Sequence, residues 1–198
     1  MTHPENPLLN LDPRHQGALL AALAALMIFT RGQHFATLDA LPSASWAVFF
    51  LAGVLVRPLW AFPALFGLAL GLDAAAIGWA GVSDHCFTPA YAALVPAYGS
   101  LWLAGQWYAR QHRDCLASLL PLALSAGSGA LVCYLFSGGG FYFFSGREAA
   151  PSLSGFVPRV VEYLPRYVSS LSLYVGVAAL VYALQLRLRP ADTEASHP

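Results

Sequence analysis

Lysine is absent from all 198 residues, and the ten arginines are matched by ten acids. With no net charge and no polybasic face, the chain lacks the electrostatic footprint of a nucleic-acid or anionic-surface binder. Charge of either sign is scarce: 10% of residues are charged and 58% apolar, against about 25% and 45 to 50% in ordinary soluble domains. A chain of this size cannot hide so much apolar surface in one water-bounded core, which argues against a soluble enzyme. The three cysteines include no Cys-x-x-Cys pair, so neither a disulfide framework nor a structural zinc site is expected. A Gly-x-x-x-x-Gly-Lys loop is also missing, so any use of ATP requires another chain.

What is present is a series of apolar segments at 17–30, 44–56, 60–81, 88–109, 116–137 and 167–186. None alternates with the period of a barrel strand, and lipid forbids unpaired backbone, so all are expected to be helical. The expectation is an all-α membrane protein, a single bundle of six transmembrane helices over 1–198, with 1–16 and 187–198 as tails. A cleaved signal peptide competes for the first segment, which is short for a span, although Glu5, Asp12 and the long N-terminal region are poor signal-peptide features. Pro63, Pro96 and Pro121 fall inside three segments and are expected to kink them. Arg14, Arg57, Arg110, Arg113, Arg187 and Arg189 would share one side, opposite Arg31, Arg147, Arg159 and Arg166. The positive-inside rule then puts both termini in the cytoplasm of a multi-pass inner-membrane protein. The longest connection, 138–166, would lie outside. Its Gly138, Gly139 and Gly140 precede Phe141, Tyr142, Phe143 and Phe144, a pattern that reads either as an interfacial aromatic belt or as a hinged lid over a flat ligand.

Few residues could carry chemistry. Asp73 sits about midway along the third segment, where a carboxylate costs roughly 2.5 to 3.5 kcal/mol on insertion scales, so it should face a cavity or a partner. Its alternatives are a packing hydrogen bond and a place in a polar pocket. Asp84, His85 and Cys86 cluster at an outer turn before Pro89, which suits the first turn of a helix. A thiol just before a helix start feels the positive end of the dipole, which favours the thiolate that ligates metals and attacks electrophiles. Cys86 could equally be inert or pair with Cys133. His34, in the first outer loop, and Tyr91, five residues after Cys86, can reach the same space. In the first segment Ala18 with Ala22 and Ala21 with Ala25 place small residues four apart, a face on which another helix could dock.

The histidine beyond the first helix (His34), the aspartate in the third (Asp73), the cysteine thirteen residues on (Cys86) and the tyrosine five later (Tyr91) resemble the BtuM family. These are small six-helix membrane proteins of vitamin B12 uptake, substrate-binding S components of energy-coupling factor transporters. The resemblance covers nearly the whole chain. It implies that Cys86 is the axial ligand to the cobalt of cobalamin, with His34, Asp73 and Tyr91 lining the pocket; His85 and Tyr142 are further candidate substrate-binding residues. It also implies a docking role for the Ala18/Ala22 face toward a coupling subunit with ATPases, and a possible decyanation of cyanocobalamin through Cys86. Corrin leaves two axial positions on cobalt, and a soft thiolate suits such a metal. A second reading is a membrane cysteine enzyme of the sorting-peptidase kind, using Cys86 with His34 and Arg147. A ligand-free scaffold is the third.

Overall fold

The computed structural model describes residues 12–31, 41–79 and 89–188, which are helical apart from short links. Six α-helices follow in order: α1 (Pro13–Arg31), α2 (Ser45–Leu55), α3 (Ala61–Trp79), α4 (Leu94–Gln111), α5 (Leu119–Phe144) and α6 (Leu153–Leu188). Short 3-10 turns, Pro89–Ala93 and Leu116–Ser118, lead into α4 and α5. The expected segments therefore appear as helices, and no strand occurs among the described residues. Three helical stretches, Ala61–Gly78, Leu116–Phe144 and Leu153–Leu188, are long and apolar enough to cross a membrane. Leu120, Leu124, Leu135, Leu173, Val177, Leu180 and Leu184 stand exposed on α5 and α6, an outward apolar surface that suits lipid rather than water.

The centre of the bundle is α2. Every residue from Ser45 to Val54 is buried, as expected of a helix apolar on all sides. At 11 residues it rises only about 16 Å, well short of the roughly 30 Å hydrocarbon core, so it is a core element wrapped by its neighbours. Its packing against α4 is backbone to backbone. A Cβ on Gly53 would strike the carbonyl of Trp102, and one on Gly105 would strike that of Phe50. On the other face of α4, Gly129 of α5 lies over Ala104, and Ser125 Oγ donates to the Ala104 carbonyl at 2.5 Å. Small residues thus bring three helices together, the usual device where no hydrophobic drive separates helix from lipid.

The α1–α2 hairpin is pinned at both ends. Thr30 Oγ1 accepts from the Ala44 amide at 3.1 Å, and Gln16 Oε1 accepts from the Arg57 amide at 3.1 Å. α6 is fastened near the start of α2, where Tyr174 and Ser170 donate to the carbonyls of Pro42 and Ser43 at 2.6 and 2.7 Å, and Tyr167 stacks on Trp46 at 4.7 Å.

Two expectations fail here. Residues 138–166 are not a lid loop: α5 runs on through the three glycines and the aromatic run to Phe144, and α6 already begins at Leu153. Gly138 makes room for a ring, since a Cβ there would meet the Tyr134 ring at 2.9 Å, while one on Gly139 would rest on the Phe156 ring at an ordinary 3.4 Å. The helix ends where Gly146, at φ 73°, supplies the left-handed residue of a common C-terminal cap. Nor do Pro63, Pro96 and Pro121 interrupt their helices. Each is the third residue of α3, α4 or α5, in the first turn where a backbone N–H has no helical partner to lose. The interior prolines are Pro158 and Pro165, both in α6.

Candidate functional site

The last residue of α1 organises the end of the bundle expected to face outward. Arg31 Nε and Nη2 donate to Asp73 Oδ1 and Oδ2 of α3 at 2.7 and 2.6 Å, the fork-to-fork geometry that makes guanidinium–carboxylate pairs strong. Its Nη1 donates to Ser45 Oγ of α2 and to Tyr98 Oη of α4, both at 2.9 Å. Tyr91, in the 3-10 turn before α4, donates its hydroxyl to Asp73 Oδ2. Tyr98 is itself held by stacking on Phe49 at 4.4 Å. One ion pair and three hydroxyls therefore tie together four helices and the turn that enters α4.

This arrangement answers where the membrane aspartate finds compensation. Asp73 has a full counter-charge and a tyrosine donor, so it is a partnered anion rather than a free general base. The pair is not sealed: side-chain exposure is 14% for Arg31 and 26% for Asp73. It can therefore form part of a pocket wall.

Of the predicted site residues, Asp73 and Tyr91 are brought into direct contact. His34, Asp84, His85 and Cys86 lie outside the described residues. Pro89 opens a helical run as expected, but as a five-residue 3-10 turn before α4 proper. Tyr142 is buried within the α5–α6 hairpin, packed on Phe143 and Phe156, with the Arg159 guanidinium 4.9 Å over its ring. Arg159 also pairs with Glu148 at 2.8 Å. A cavity of about 460 Å³ opens beside them, lined by Phe141, Tyr142, Ser145, Arg147, Glu148 and Arg159. From Tyr167, level with Trp46 at the start of α2, α6 continues 14 residues toward Leu153, about 21 Å of helix. The hairpin accordingly stands well beyond the Arg31–Asp73 pair.

Arg31, Ser45, Tyr98 and Arg159 were not among the site residues expected from the sequence, where Arg31 and Arg159 counted only toward orientation. For Arg31 a signal existed: it closes the first apolar run, and Asp73 is the only acid inside any of the six. Cys133 is a free, buried thiol and Cys115 a free, exposed one. The Ala18, Ala21 and Ala22 side of α1 is exposed, with Ala25 half-buried. Among the described residues no cluster of three metal-ligand side chains occurs. No protein-family model and no curated protein matches the chain.

Proposed function

We propose that the protein binds cobalamin at the outer end of its six-helix bundle and serves as the substrate-binding component of vitamin B12 uptake. The observation that carries this reading is the contact between Asp73 and Tyr91. They are the flanking members of the Asp73, Cys86, Tyr91 spacing on which the BtuM resemblance rests, and they meet at a partly open site. Cys86 lies between them in the chain and is assigned as the axial ligand. The α5–α6 hairpin, with its aromatic and charged cavity, supports a tall wall for so large a ligand, in place of the flexible lid first expected. The exposed alanine side of α1 supports docking of a coupling subunit. Energy would come from that partner's ATPases, and both termini would be cytoplasmic.

The chemistry assigned to Cys86 is ligand exchange. Its thiolate sulfur donates an electron pair to the cobalt, and the cobalt–cyanide bond breaks with its pair remaining on cyanide, which leaves as the anion or takes a proton from water. No electron is transferred. Because only the deprotonated sulfur ligates, coordination is lost as pH falls through the thiol's pKa, about 8.5 for a free cysteine.

The test is a titration of purified wild type, Cys86→Ser and Cys133→Ser with cyanocobalamin, followed by absorbance and by cyanide release across pH. Wild type and Cys133→Ser should shift the corrin spectrum and release cyanide, increasingly so as pH rises; Cys86→Ser, offering a hard protonated oxygen, should do neither. A Cys86→Ser protein that behaves as wild type would overturn the ligand assignment.

A further inference from the structure

The end of the bundle opposite the Arg31–Asp73 pair contains a second cavity. α2 stops at Leu55 while α6 runs on to Leu188, which leaves a hollow below the short helix. It measures about 360 Å³, within the roughly 300 to 1,000 Å³ of small-molecule sites. Phe50 and Val54 of α2, Leu122 of α5, and Val175 and Ala179 of α6 line its depth. From Val175 to Leu186 the groove follows 12 residues of α6, a rise of about 17 Å, close to half of the roughly 30 Å hydrocarbon core.

Its mouth is polar and of one dominant sign. Arg113, in the link between α4 and α5, and Arg187, in the last turn of α6, both line it and are exposed. Among the described residues neither guanidinium takes part in an ion pair. The one acid among the described residues there, Asp114, is already engaged: it accepts from Tyr182 at 2.7 Å and pairs with His112 at 3.1 Å, whose other nitrogen meets Tyr108 at 2.8 Å. Leu116 and Leu119 stand exposed beside this rim.

We infer that this groove binds an anionic phospholipid of the inner leaflet, one acyl chain lying along α6 and the phosphate held between Arg113 and Arg187. A leaflet-deep apolar slot with two exposed arginines at its mouth matches a ligand that is a long hydrocarbon at one end and an anion at the other, and basic pockets between helices on the cytoplasmic side are suited to such headgroups. The inference rests on the membrane reading of the helices and is independent of cobalamin.

Delipidated full-length protein, titrated with dioleoyl phosphatidylglycerol or dioleoyl phosphatidylcholine and read by native mass spectrometry, tests it. The anionic lipid should bind more tightly. Arg113→Gln and Arg187→Gln should each weaken it about fivefold, equivalent to about 1 kcal/mol per arginine, and Ala179→Trp, which fills the slot, should displace it. Both arginines are exposed, so their variants should keep the wild-type circular dichroism and decide the matter even if Ala179→Trp fails to fold. Equal affinity for the two lipids, arginine variants that bind as wild type, or glycerol phosphate binding as tightly as the intact lipid would each overturn the assignment.

Discussion

A single arginine at a helix end decides how a carboxylate is tolerated within this bundle. Asp73 uses both oxygens on Arg31 and receives Tyr91 as well, so removing its charge leaves a guanidinium facing a neutral amide. In a fully buried pair that loss amounts to about 3 to 5 kcal/mol; with Asp73 still 26% exposed, about 2 kcal/mol is expected for Asp73→Asn. Arg31→Gln should cost a similar amount, and the double variant should cost clearly less than the two singles combined. Thermal unfolding in detergent measures this; strictly additive losses would show that the pair is not coupled. The same Asp73→Asn protein separates structure from ligand binding. A cobalamin affinity that is unchanged once folding is accounted for would make the residue purely architectural.

At the scale of elements, glycine has two opposite roles. Gly53 and Gly105 permit α2 and α4 to touch along their backbones, and an added methyl at either would strike a carbonyl oxygen that cannot move aside. Gly53→Ala should therefore destabilise by about 2 kcal/mol, within the usual range for overpacking. Gly127 of α5 has open space around its Cβ position, so Gly127→Ala should be neutral or stabilise by about 0.5 to 1 kcal/mol through lost backbone entropy. Melting of the two variants side by side checks the pair of expectations; equal effects would contradict the packing described. Of the glycines before the aromatic run, Gly138 makes room for a side chain, the Tyr134 ring one turn earlier. The helical continuation through this run was not legible in the sequence because three consecutive glycines oppose a helix locally.

For the whole molecule, α6 is long and apolar enough to cross a membrane, and a span there would put the α5–α6 link and the C-terminus on opposite sides. In a background lacking native cysteines, Ala149→Cys in that link should react with an impermeant thiol reagent applied to intact cells. Ala195→Cys should react only after lysis. Labelling of Ala195→Cys in intact cells would reverse the arginine-based orientation. That asymmetry in turn sets the sides of both proposed sites, the corrin end beside Arg31 and the lipid groove beside Arg113 and Arg187.

Composition and run length were enough to determine helicity, membrane character and the approximate position of each helix, because the cost of unpaired backbone in lipid acts on every segment separately. They also singled out Asp73, whose charge is costly wherever its helix goes. The choice of Arg31 as its partner, 42 residues earlier in the chain, was decided only by how α1, α2, α3 and α4 pack. So was the burial of α2, which has the composition of a span but less than its length. Three prolines read as kinks became first-turn residues once the helix starts were known, and an apparent lid became a helical hairpin because ring packing outweighed local propensity. Such outcomes depend on which surfaces meet, and a residue's own neighbours in sequence do not carry that information.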